Sequence, residues 1–109
     1  MTDLSHNNVG DVLTGDQIAG ILPADHDNGH VFDGVVRAGT LSGWNGKVGY
    51  IVAANGDVAI PLARAGEFPS VRAHIADFTY APANGDRVKF LLNRDSAGDK
   101  LAVLITALA

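Results

Sequence analysis

The run DHDNGH, residues 25 to 30, concentrates metal-ligand chemistry: His26 and His30 stand among Asp25 and Asp27. Imidazole and carboxylate donors can hold a divalent cation, but this spacing matches no specific ligand template, and the Asn-Gly inside it is turn chemistry. We read it as a solvated acidic loop. Asp95, Ser96 and Asp99 offer oxygen ligands in the same way. They lack the spacing of a calcium-binding loop and fall where a turn must join two apolar segments. His6 and His74 are isolated and read as surface residues. The sequence holds no G-x-S-x-G, no cysteine and no nucleotide-binding glycine motif. The expectation is a protein that is not an enzyme and takes no metal or cofactor.

The chain that must position any other chemistry has 109 residues, 47% of them hydrophobic and 18% charged. That is enough for one small domain with a single modest core, and too apolar for a disordered polyampholyte. Without cysteine there is no disulfide and no sign of an oxidising compartment. No apolar run reaches bilayer length, and the acidic, polar start MTDLSHNNVGD is unlike a secretory signal. A cytoplasmic protein, or one built into an assembled particle, is expected, with no membrane partner. The net charge of -4 conceals an asymmetry. Residues 1–36 carry Asp3, Asp11, Asp16, Asp25, Asp27 and Asp33 and no cation, whereas all eight Lys and Arg lie beyond them. An acidic arm precedes a mildly basic body.

Local patterns give the elements. Thr14-Gly-Asp16 is capping chemistry for a short helix over Gln17–Leu22, stopped by Pro23. Val31, Phe32, Val35 and Val36 are strand formers interrupted by Asp33-Gly34, a candidate hairpin turn that could add strands to the body. AGTLSGW and VGYIVA read as the first two strands of the body, and DVAIPLA as a third, joined to the second through Asn55-Gly56. A long connection with one helical turn follows. GDRVKFLLN then alternates, with Val88, Phe90 and Leu92 on one face and Arg87, Lys89 and Leu91 on the other. KLAVLITAL closes the chain as a fifth strand. Five short strands with one long connection predict a small all-β barrel over 37–109 with an acidic extension over 1–36.

Taken in order, GTLSGWN, GKVGYI, GDVAIPLA, NGDRVKFLL and AVLITAL resemble the landmarks of cold-shock domains. That resemblance covers about residues 37–109 and implies a five-stranded OB-fold barrel that binds single-stranded RNA or DNA. It also implies which residues would do so. Trp44 and Tyr50 retain two of the family's stacking rings, while Gly43, Val48, Ala59 and Pro61 stand where aromatic or imidazole groups would be. Lys47, Arg37, Lys89 and Arg64 become the candidate phosphate contacts. Aromatic residues of small barrels also serve as core, and Arg87 and Lys89 also suit the solvated face of a strand.

Each stacked base is worth about 1–3 kcal/mol, so the missing rings leave at most a weak, sequence-tolerant and salt-sensitive site. The alternative is a structural or assembly protein that reuses the barrel, as a particle component or as an inhibitor imitating nucleic acid. In that reading Val48, Val52, Ala59 and Pro61 form an apolar interaction face, covered by a protein partner, by self-association through residues 1–36, or by the chain's own arm.

Overall fold

A computed structural model of the chain describes residues 3–21, 31–61, 65–66, 69–94 and 100–108. Five strands close a barrel in the order β1-β2-β3-β5-β4: β1 is Arg37–Ser42, β2 Val48–Val52, β3 Ser70–His74, β4 Arg87–Arg94 and β5 Lys100–Ala107. All neighbours are antiparallel except β3 and β5, which run parallel and meet at Arg72 and Leu101. One short helix, α1 (Gly15–Ile21), precedes the barrel. The expected all-β, OB-like five-stranded architecture with an N-terminal extension is the one found.

The period-2 patterns produce it directly. Val88, Phe90 and Leu92 of β4 point inward to meet Leu41, Ile51, Val71, Ala102 and Ile105 in the barrel core. Gly39 lets β1 and β2 approach closely: a Cβ there would lie 2.5 Å from Ile51 Cγ2 and 2.9 Å from the Val52 carbonyl oxygen. On the outer side of the same sheet Leu91, Val103 and Leu104 form a second cluster with Leu4, Leu13 and Val36 of the arm. Fully burying a leucine contributes ~1.5–3 kcal/mol, so Leu4 and Leu13 are what hold the arm down.

A β-bulge makes this double-sided burial possible. The β4–β5 register shifts between Lys89 and Leu91. Leu104, at φ 52, takes the left-handed conformation that only glycine adopts without cost. Val103 and Leu104 therefore both face the arm, while Ala102 and Ile105 face the barrel core.

The third strand differs from the expectation. Residues 56–61 form no strand, and β2 pairs instead with Ser70–His74, a stretch that had read as part of the long connection. The turn at Asn55-Gly56 does exist, with Gly56 at φ 88 and the Ala54 N–H donating to Asp57 Oδ2 at 2.9 Å. Its outgoing arm peels away. Ile60 drops into the core, Asp57 pairs with Arg87 at 2.6 Å, and Pro61 has no N–H to give a ladder. The expected helical turn is present as a 3-10 turn over Ile75–Asp77.

The arm contains α1 with the anticipated cap. The Thr14 N–H donates to Gln17 Oε1 (2.8 Å) and the Gln17 N–H to Thr14 Oγ1 (3.2 Å), a reciprocal capping box. Asp33-Gly34 makes a turn, with the Val35 N–H donating to Asp33 Oδ1, but not a hairpin. Val35 bridges Val12 and Val31 bridges Asn93, so the two flanks find different partners. Leu22 and Pro23 lie outside the described residues.

Gly39→Ala should lower the unfolding free energy by about 1–3 kcal/mol, because the new methyl meets backbone as well as a side chain. Urea unfolding followed by Trp44 emission measures this. Unchanged stability would mean β1 and β2 do not approach as described.

Candidate functional site

The candidate residues divide between two sides of the barrel. Tyr50 is 51% and Val48 42% exposed on the outer face of β2, alternating with the buried Gly49 and Ile51. Across the ladder Tyr50 faces Arg72, Val48 faces His74 and Val52 faces Ser70. Lys47 is exposed in the loop that enters β2, and its carbonyl oxygen accepts from the Ile75 N–H at 2.9 Å. Lys47, Val48, Tyr50 and Val52 are thus brought to one face, and the structure adds Arg72, His74 and Ile75 to it.

The face has relief. A groove of about 480 Å³ runs between Val48, Tyr50, Arg72, His74, Asp77 and Leu101, where β3 meets β5. A shallower hollow of about 270 Å³ lies against Ser42, Tyr50, Val52 and Ser70. Tyr50 lines both and stands as a ridge between them. At the groove wall His74 Nδ1 accepts from the Ala76 N–H at 3.1 Å, which caps the 3-10 turn and directs Nε2 away from it. The face can offer one aromatic ring, hydrogen-bond donors and charge of both signs, from Lys47 and Arg72 and from the Asp77 carboxylate, beside the apolar Val48 and Ile75.

Trp44 is elsewhere. It packs half-buried against the barrel core, edge-on to Phe78 at 5.0 Å, with Phe78 in turn 5.9 Å from Tyr80. A Cβ on Gly49 would come within 3.1 Å of its ring. Gly49 points opposite to Tyr50 along β2, so Trp44 closes the barrel end while Tyr50 faces outward. The two rings do not form a joint stacking platform. Tyr80 completes this end: its hydroxyl donates to Asp86 Oδ2 at 3.0 Å, and burial, helped by that carboxylate, pushes its pKa up to about 12.

Arg37 and Lys89 are also removed from the open face, because the arm covers them. Arg37 is 5% exposed and donates from both terminal nitrogens to the Asp33 carboxylate (2.7 and 2.6 Å) and from Nε to the Ala59 carbonyl oxygen (2.9 Å). Lys89 is 8% exposed and donates to the Asn7 carbonyl oxygen at 2.8 Å. Arg87, the other basic residue on that side of β4, pairs with Asp57. Ala59 and Pro61 do not join Val48 and Val52, since their segment does not pair with β2. Arg64, DHDNGH and the Asp95–Asp99 turn lie outside the described residues.

Sequence reasoning missed Arg72, His74 and Ile75. Their signal was the alternation Val71, Arg72, Ala73, His74, which is a strand pattern once GDVAIPLA is no longer counted as β3. No family model, curated protein or solved structure matches the chain. What places it is topology: a closed five-stranded, OB-like barrel with one face open and one face strapped.

The Arg37 guanidinium holds the Asp33 carboxyl below the ordinary carboxylate range. A carboxyl depressed by folding stabilises the fold above its unfolded pKa of about 3.9 and loses that contribution as pH falls through the folded value. Asp33→Asn should therefore be less stable than wild type at pH 7, with the difference shrinking below pH ~4. Unfolding curves across pH 2–7 test this; a gap that stays constant with pH would show that the ion pair does not couple to folding.

Proposed function

We propose that this chain is a weak, sequence-tolerant single-stranded nucleic-acid-binding protein of the cold-shock-like kind, acting in the cytoplasm or within an assembled particle. In this reading the binding surface is the outer face of β2 and β3. Tyr50 carries it: a half-exposed ring between two hollows, directly across the ladder from Arg72. A base stacks on Tyr50, and backbone phosphates meet Lys47, Arg72 and the Nε2–H of His74. With Trp44 turned into the barrel end, a single ring does the stacking. One ring contributes ~1–3 kcal/mol, which keeps the binding weak and indifferent to sequence.

A second reading uses the same face for a protein. Val48 and Ile75, 42% and 39% exposed, flank Tyr50, and Tyr and Arg are the residue types that anchor protein interfaces. The two readings differ in salt dependence, because phosphate contacts release counterions and apolar contacts do not.

Anisotropy of labelled oligo(dT) and oligo(rU) at low salt provides the test. Binding should be saturable, should weaken as salt rises, and should fall about 5- to 150-fold in Tyr50→Ala, as expected for one lost stack. Binding equal in wild type and Tyr50→Ala would remove the face from the proposal. No binding at all would leave the protein-interface reading.

A further inference from the structure

The tetrapeptide Ala-Asn-Gly-Asp occurs twice, at 54–57 and at 83–86, and folds the same way both times. In each copy the Asp N–H donates to the Ala carbonyl oxygen, at 3.0 Å and 3.1 Å, and the Ala N–H donates back to Asp Oδ2 at 2.9 Å. Gly56 and Gly85 stand at φ 88 and φ 91, the left-handed conformation that suits glycine at the third position of a turn. The Asn and Gly of both copies are exposed. One sequence in one backbone geometry can differ in its chemistry only through its surroundings.

Those surroundings differ at the two groups that react when asparagine deamidates. The nitrogen of the following glycine, having given its proton to hydroxide, can bond to the asparagine Cγ, and the Cγ–Nδ2 bond then breaks to release ammonia. Glycine favours this closure because no side chain obstructs the approach. In the 83–86 copy both groups are held. The Gly85 N–H donates to the Leu41 carbonyl oxygen at 2.8 Å, and Asn84 Oδ1 accepts from the Trp44 N–H at 3.3 Å. In the 54–57 copy neither the Asn55 side chain nor the Gly56 N–H has a partner among the described residues. A third pair, Asn45-Gly46, is intermediate: Asn45 Oδ1 accepts from the Lys47 and Val48 N–H groups, both at 2.9 Å, which fixes that side chain at the entry to β2. Asn28-Gly29 lies outside the described residues.

We propose that Asn55 is a self-modifying site, converted through a cyclic imide with the Gly56 nitrogen, while the asparagine of the matching turn, Asn84, persists. Water opens the imide at either carbonyl. Attack at the side-chain carbonyl leaves aspartate, and attack at the backbone carbonyl leaves isoaspartate, whose chain runs through the side-chain carbon. Overall one water is consumed and one ammonia released. The product carries a new carboxylate two residues from Asp57, and the isoaspartyl form also lengthens the turn by one backbone atom. The contacts it disturbs are Ala54 N–H with Asp57 Oδ2 and Asp57 with Arg87 at 2.6 Å. These tie residues 57–61, with the core residue Ile60, to the barrel. The hold on that segment therefore weakens with the age of the molecule.

The test is to age the full-length protein at neutral pH in heavy-oxygen water and map its peptides by mass spectrometry that distinguishes isoaspartate from aspartate. Asn55 should convert first and carry one solvent oxygen. Asn84 should be slower by about tenfold or more, the factor that two net hydrogen bonds supply. Asn45 should fall between them. In urea, with the fold lost, Asn55 and Asn84 should convert at similar rates, because the tetrapeptide around them is the same. The proposal is overturned if Asn84 keeps pace with Asn55 in the folded protein, or if Asn55 stays intact there while the unfolded chain converts. It is overturned equally if the gap between the two persists in urea, since flanking sequence and not the fold would then set it. The isoaspartyl fraction, separated by its added charge, should be cut by protease within residues 54–61 faster than fresh protein. Equal cutting would overturn the loosening of residues 57–61.

Discussion

The structure depends on β4 and β5 being buried on both faces, each face with an apolar cluster. Phe90 and Leu92 face the barrel, Leu91 faces outward, and the bulge at Leu104 adds Val103 and Leu104 to the outer side. A sheet with two apolar faces must be covered twice, whereas an antiparallel sheet with one apolar face can leave the other in water. The barrel interior provides one cover and the arm the other. Leu104 shows how firmly this is imposed: a buried leucine is held at φ 52, a conformation costing of order 1–2 kcal/mol, so that its side chain meets the arm. Because the arm is committed to β4 and β5, the β2–β3 face stays open, and the structural asymmetry of the molecule follows.

The same commitment redistributes the charge. Arg37 and Lys89 lie on neighbouring strands but on opposite faces of the sheet: Ala38 pairs with Lys89 across the ladder, and Arg37 pairs with the core-facing Phe90. The arm takes both, one with a carboxylate and one with a carbonyl. Arg87 is matched by Asp57 on the segment that peeled away from β2. On the open face Arg72 lies across the ladder from Tyr50 and His74 across from Val48, with Lys47 exposed in the loop entering β2. Two of the aspartates, Asp33 and Asp57, are thus matched to arginines away from the open face, while Asp77 lines the groove on it.

Strands with strong alternation were legible in the sequence. β1, β2, β4 and β5 fall within a residue or two of where Thr40-Leu41, Val48–Val52, Val88–Leu92 and Leu101–Thr106 put them, and the Thr14/Gln17 cap was read from its spacing. β3 was missed because two stretches competed for one edge of β2. GDVAIPLA is the more apolar, and its Asn-Gly turn is adjacent, which favours it locally. SVRAH wins because Val71 and Ala73 can alternate into the core with every N–H available to the ladder, whereas Pro61 has none. The partners of Arg37 and Lys89 were illegible for another reason. Alternation assigns Lys89 to the outer face, but nothing local says that a segment about eighty residues away lies over it.

Trp44 and Tyr50 show why residue type alone could not define the site. They are six positions apart and similar in chemistry, yet Trp44 fills the barrel end over Gly49 and Tyr50 projects into solvent. The determinant is the strand register: Gly49 and Ile51 face inward, so Val48 and Tyr50 must face outward. Gly49 is also the reason Trp44 can sit where it does, since any larger residue there would press on the indole. The small residue that turns one ring into core thus leaves its neighbour as the lone platform. This face therefore presents a single ring with Arg72, His74 and Asp77 along its groove, not an extended aromatic surface.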